Sequence, residues 1–273
     1  MKKISRLILP ISIISTSFIP FSLISCIKNE DNNSLKSKIP TEFDFVPNVN
    51  NPDEIKTNKL IEELINLKFK NDEVNKTLFL ESQKNEDQIY EEIKTLTKNY
   101  LKSKSKENID AIKLFYSNNW LFIIKNISKF KLIFTNWWTF EPTANARHTE
   151  GFFERLDKNS EPKDLVFFDN NWDQLKEGDE SPESPDDVYY FKKGKLLLRI
   201  LISKNNQNKR ILNFEKIILF SKSKTNKVSI KLVSDAVHNA VIHKMQVGYD
   251  AFENEVIDNF GFPSLGLLIL KEV

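Results

Sequence analysis

The apolar residues of this chain change their spacing part-way along, and that change limits the fold more than any other feature. From Asn108 to about Phe134, Ile109, Ile112, Tyr116, Trp120, Ile123, Ile127, Phe130 and Phe134 recur at three- and four-residue steps. This is one apolar stripe on a long helix, or on two helices broken near Asn118-Asn119. Shorter helical patterns precede it. One opens near Pro52-Asp53, with Glu54 in its first turn, and carries Leu60, Leu64 and Leu67; two more span Asp72 to Ser82 and Glu86 to Leu101. From Val188 the period becomes two. Val188 to Phe191, a turn at Lys192-Lys193-Gly194 and Leu196 to Ser203 read as a β-hairpin, and Ile211 to Phe220 as a further strand. Val228 to Val233 also reads as a strand, because Val228, Ile230 and Leu232 alternate with Lys227, Ser229 and Lys231, burying one face and wetting the other. Asp235 to Gln246 and Asp250 to Asn259 read as helices closing the sheet, and Ser264 to Lys271 as a short terminal strand. Helices first and strands later predict an α+β fold: a helical part followed by an antiparallel sheet with closing helices.

The N-terminal stretch constrains topology. Lys2, Lys3 and Arg6 precede an apolar run, Leu7 to Ile24, which leads through Ser25 into Cys26, the one cysteine among 273 residues. That layout predicts a secretory signal over residues 1–25. The Leu23-Ile24-Ser25-Cys26 run resembles the lipobox of bacterial lipoprotein precursors. The resemblance implies a lipidated Cys26 at the mature N-terminus and attachment to the cell membrane on its extracellular face. Two acyl chains hold a protein on a bilayer where one does so only marginally, and no later apolar run approaches the ~20 residues that span one. With Cys26 set aside no disulfide framework remains, so the exported part must be stabilised by its core.

Residues 26–52 are polar, with three prolines, and read as a disordered tether. The remaining divisions are a helical aromatic-rich region (53–160), an acidic loop (161–187) and a β-rich region with helices (188–273). The charge is nearly balanced. Of 40 Lys+Arg against 38 Asp+Glu, three cations fall in the signal, leaving 37 against 38, or about −1.

Two aromatic runs, Asn119-Trp120-Leu121-Phe122 and Asn136-Trp137-Trp138-Thr139-Phe140, stand beside a C-terminal part with Arg199-Ile200-Leu201, His238, His243 and Gly248-Tyr249-Asp250-Ala251-Phe252-Glu253. Together they resemble the aromatic-motif membrane lipoproteins of mycoplasmas. The resemblance implies a surface-exposed, lipid-anchored protein and carries over no catalytic residue.

Residue chemistry offers three candidates. His238 and His243 are five apart, which on an α-helix separates them by ~140° of arc and on a strand puts them on opposite sides. His148 neighbours Glu150 and Glu154, as an acid–base pair would require. Nucleophile elbows, phosphate loops, dinucleotide fingerprints and zinc-helix spacings are absent from the sequence, so neither a cofactor nor a metal is expected. The aromatic cluster reads mainly as core, although adjacent Trp137 and Trp138 cannot both point inward and at least one belongs at a groove or rim. Finally, Lys192 to Lys231 holds twelve basic residues and one acid. Lys193, Lys195, Arg199, Lys209, Arg210, Lys222 and Lys224 would make a polyanion surface if they shared a face. Otherwise they are the polar outer face of a half-exposed sheet, with the acidic loop folded back onto them. The sequence thus predicts a surface protein that binds rather than catalyses, its partner the membrane through Cys26 and an unidentified ligand. Capture of nucleic acid or another polyanion through the basic strand region is the second reading and a surface hydrolase the third; the candidate partners beside the membrane are a polyanion and a host-surface ligand.

Overall fold

Polar caps start the helices where the periodicity expects them. The computed structural model describes residues 52–159, 172–176, 187–221 and 228–273, with side chains from Lys56 onward. Helix α1 spans Pro52–Phe69. Helix α2 (Glu73–Ser82) begins at Asp72, whose side chain accepts from the Asn75 N–H. Asn85 and Ser105 cap α3 (Glu86–Lys102) and α4 (Lys106–Lys125) in the same way. Within α4, Asn119 leaves the helical region (φ −122°, ψ 28°). From Asn119 to Ile124 every residue is buried, as befits the run Trp120 to Ile124, which is apolar on all sides. Helix α4 ends at Lys125, and a 3₁₀ turn (Ile127–Lys129) leads into strand β1 (Phe130–Trp137). Phe130 and Phe134 therefore sit on a strand, not on the helix the stripe implies. Phe130, Leu132 and Phe134 also satisfy a period of two, and pairing with the last strand decides between the periods.

A six-stranded antiparallel sheet forms the centre, in the order β1-β6-β5-β4-β3-β2. Strand β2 (Asp173–Lys176) lies inside the expected acidic loop. Four residues with one apolar side chain, Leu175, carry too little pattern to mark a strand, and its pairing with β3 (Asp187–Lys193) supplies the order. Strands β3 and β4 (Leu196–Lys204) form the expected hairpin, with Gly194 at φ 57° in a two-residue turn. Strand β5 (Arg210–Phe220) carries a bulge at Glu215 opposite Arg199/Ile200.

Both sheet faces are covered, in place of the half-wet sheet expected from the sequence. Tyr190, Leu197, Ile218 and Phe220 point into a core built with the C-terminal helices. Their neighbours Tyr189, Phe191, Leu196, Leu198, Ile217 and Leu219 are also buried and face the other way, where α1, α3 and α4 pack. Val228 to Val233 is not a strand: Ser229 caps helix α6 (Ile230–Val237). Ile230, Val233, Ala236 and Val237 are its buried residues, a helical period that the shorter alternation masks. Helix α6 runs on as a π turn (His238–Ile242). Helix α7 (Gln246–Ala251) does likewise (Phe252–Ile257), ending in a short α8 (Asp258–Phe260). Strand β6 (Pro263–Leu270) enters between β1 and β5.

Strand β6 pairs with β5 only from Pro263 to Leu265. Further on, side chains from the helices continue the ladder. The Tyr116 hydroxyl donates to the Leu268 carbonyl (2.7 Å) and accepts from its N–H (2.8 Å), and Thr97 accepts from the Leu270 N–H (3.3 Å). The described residues lie in one compact unit, Asp44–Val273. The expected signal, Cys26 and the tether before Pro52 lie outside the described residues, as do Lys222 and Lys224.

Candidate functional site

The densest chemistry lies where the segment after β1 meets α7 and its π turn. Glu253, in that π turn, is completely buried. Four donors reach its carboxylate: His148 Nδ1 (2.9 Å), the Thr149 N–H (2.9 Å), the Thr149 hydroxyl, and the Arg155 guanidinium (2.7 Å) from the short helix α5 (Phe152–Asp157). The Phe140 N–H donates to His148 Nε2 (3.0 Å). A backbone N–H can only donate, so Nε2 accepts, and Nδ1 carries the proton given to Glu253. The imidazole stacks on Phe152 (3.9 Å between centroids, 5°) and lies nearly parallel to Phe140 (5.7 Å, 14°).

Burial holds the His148 imidazole below its ordinary value, against the hydrogen bond and charge of Glu253, which favour its protonation. Burial pushes the Glu253 carboxyl up, but the hydrogen bonds from Thr149 and His148 outweigh it and keep the group below the ordinary carboxylate value. The site is a neutral imidazole and an ionised carboxylate balanced by Arg155. Its surroundings are aromatic: Trp138 is buried edge-on to Phe140 and Phe252. The Tyr249 hydroxyl donates to the Glu141 carbonyl (2.5 Å).

The partner of His148 is thus neither Glu150 nor Glu154, both exposed, but a residue 105 positions away. The signal that could have found it is the Gly248-to-Glu253 run, which places one glutamate among aromatics on a helix. Trp137 is half-buried against Phe134 and Phe262, at the margin of this core. His238 and His243 meet with ring centroids 4.8 Å apart, at 81°. The 140° separation holds for an α-helix, whereas here the His243 N–H reaches the His238 carbonyl (3.2 Å), and the π turn stacks residues five apart. Among the described residues no three His, Cys, Asp or Glu converge as a metal site.

Much of the basic strand region is engaged inside the fold. Arg199 pairs with Glu215 across the bulge, and its Nε donates to the Tyr190 hydroxyl (3.1 Å). Arg210 pairs with Asp187, which also meets Lys176 (3.2 Å). Lys192 and Lys56 meet Asp173. Burial pushes the Asp173 and Asp187 carboxyls up, but these cations outweigh it and hold both below the ordinary value. Lys195 is buried, which lowers its pKa. Lys193 lies over the Trp172 ring (5.7 Å), and Lys209 is exposed. A cleft of about 210 Å³ lies beside these pairs, lined by Lys56, Lys59, Leu60, Glu63, Trp172 and Gln174. That is small beside the ~300–1,000 Å³ of ordinary ligand pockets.

No helix among the described residues is long and apolar enough to cross a membrane. No curated protein and no solved structure matches the chain. A family model, that of the aromatic cluster surface protein, matches residues 37–261. This span includes His148, Glu253 and the aromatic rings of Trp138, Phe140, Phe152, Tyr249 and Phe252 around them, and the chain belongs to the aromatic cluster surface protein family.

Proposed function

We propose that this surface protein is held on the extracellular face of its membrane by lipid at Cys26 and acts by binding rather than catalysis. The observation that carries the second half is the saturation of the most reactive-looking group. Glu253 accepts four hydrogen bonds and both nitrogens of His148 are engaged. A general base needs a lone pair aimed at a substrate proton, and this pair spends its lone pairs on the fold. The anchor half rests on the basic start, the apolar run and Leu23-Ile24-Ser25-Cys26. Cys26→Ser should abolish incorporation of radiolabelled fatty acid and shift the protein out of the detergent phase of a temperature-induced phase separation. A Cys26→Ser chain that still takes up label, or stays wholly in the detergent phase, rules out this anchor.

A further inference from the structure

We propose that the corner joining α6 to α7 is a second, weaker membrane contact, which lays the anchored domain on the anionic surface of the bilayer that holds it. This rests on the anchor reading above for its proximity to the membrane, but on different residues. Val241, Ile242, Met245 and Val247 are 47–54 % exposed and fall within seven consecutive positions. Side chains of that size, grouped at one corner, mark a contact surface more often than isolated exposed apolar residues do.

The corner is a fixed shape. The His243 N–H closes the π turn on the His238 carbonyl (3.2 Å), and the Met245 N–H returns to the Asn239 carbonyl (2.9 Å). Lys244 at its tip takes a left-handed conformation, φ 54°. Behind it the helices touch so closely that a Cβ on Gly248 would lie 2.2 Å from Ala240 N. A rigid apolar corner loses little entropy on entering an interface.

The charge around it selects the occupant. From Ala236 to Tyr249 there is no acidic residue, and Lys244 is exposed at the tip. Exposed Arg147 is tied to the corner by two hydrogen bonds with the Gln246 side chain (3.1 and 3.0 Å). The nearest acid on this segment, Asp250, is half-buried and accepts from Gln246 (2.9 Å). Apolar side chains flanked by cations match the boundary between acyl chains and anionic headgroups. The 26 residues from Cys26 to Asn51 span at most ~90 Å extended, and a domain of this size has a radius of gyration of only ~17 Å. Any face can therefore reach the bilayer, and tethering makes even a weak contact effective.

The test uses the chain from position 26 onward with Cys26→Ser, which carries no lipid, so its outcome is independent of whether Cys26 is acylated. Co-sedimentation is measured with phosphatidylglycerol/phosphatidylcholine vesicles and with phosphatidylcholine alone. Binding is expected to the anionic vesicles, to weaken with salt and to be poorer on the neutral ones. Replacing Ile242 and Val247 together by Asp should weaken it roughly tenfold or more, with the melting temperature unchanged, since both are exposed. Absence of binding to either vesicle, or binding indifferent to the double substitution, overturns the proposal. So does a chain that is dimeric by analytical ultracentrifugation, becomes monomeric on that substitution and ignores vesicles, because the corner then joins two copies of the protein.

Discussion

The Glu253 carboxylate sits where water does not reach, and its negative charge is tolerable only because four donors converge on it. Glu253→Gln sets an amide N–H₂ against one or more of those donors and leaves Arg155 without its counter-charge. Arg155 is itself 45 % exposed, so solvent screens its lost counter-charge, and the cost is that of buried donors set against an amide, ~1–3 kcal/mol. Urea unfolding should shift by about that much, and no measurable change would mean the site is wetter than its geometry indicates. Acid should act on the same place. His148 is held below its ordinary 6.5, so the unfolded chain takes up that proton first. Its effect on stability is absent above pH 6.5 and grows as pH falls from there towards the lower folded value. Glu253 is held below 4.5, so its contribution is present above that value and is lost as pH falls further. Thermal melts of the unsubstituted protein from pH 8 to pH 4 should show a flat upper region and a decline beginning near 6.5. A melting temperature still flat at pH 5 would contradict the buried neutral imidazole. The sequence showed that His148 lies among aromatics and carboxylates, but proximity along the chain pointed to Glu150 and Glu154. Only the fold brings in a residue 105 positions away.

Strand β6 shows how elements here complete one another. Its backbone loses β5 as a partner after Leu265, and Tyr116 on α4 takes over at Leu268 as both donor and acceptor. Tyr116→Phe keeps the ring and strips that strand of two bonds. A buried backbone group without a partner costs ~1–3 kcal/mol, so the denaturation midpoint should drop by that order with an unchanged m-value. No shift would show that water enters the gap. The helices α3 and α4 were legible because their apolar residues recur at three- and four-residue steps, and the hairpin because Gly194 supplies its turn. What was ambiguous had two valid periods. Phe130-Leu132-Phe134 fits both steps of two and of four. Val228 to Leu232 alternates like a strand although Ser229 starts a helix there. In such segments the neighbours across the fold decide, and local pattern does not record them.

At the scale of the molecule, chain order and spatial order differ. Strand β1 follows the N-terminal helices, yet it pairs only with β6, at the far end of the described chain. The helices before the sheet cover one face and those after β5 cover the other. Strand β1 lies before residue 160 and its partner β6 after it, so the sheet joins residues from both sides of that position. A fragment ending at residue 159 leaves β1 without its partner and the N-terminal helices without the face they pack on. It should melt without a cooperative transition by calorimetry, whereas residues 44–273 should show one. A sharp, reversible transition in the short fragment would establish an independent helical domain. The covering of both faces was not legible from strand alternation alone, although β4 reads Leu196-Leu197-Leu198 and then Ile200-Leu201-Ile202, and a run that apolar leaves little polar face to hydrate.

The two π turns carry a consequence for how this region tolerates change. Each amounts to an α-helix holding one extra residue, so everything beyond it is turned by about 100° relative to a regular helix. That phase shift brings His243 over His238, and in the second turn it belongs to the segment that aims Glu253 inward. What is constrained here is the number of residues more than their identity. Exchanging exposed Val241 leaves the phase intact, whereas deleting any one residue between His238 and Ile242 would heal the helix locally and turn Ala240 away from Gly248, the residue whose lack of a Cβ lets the two backbones touch.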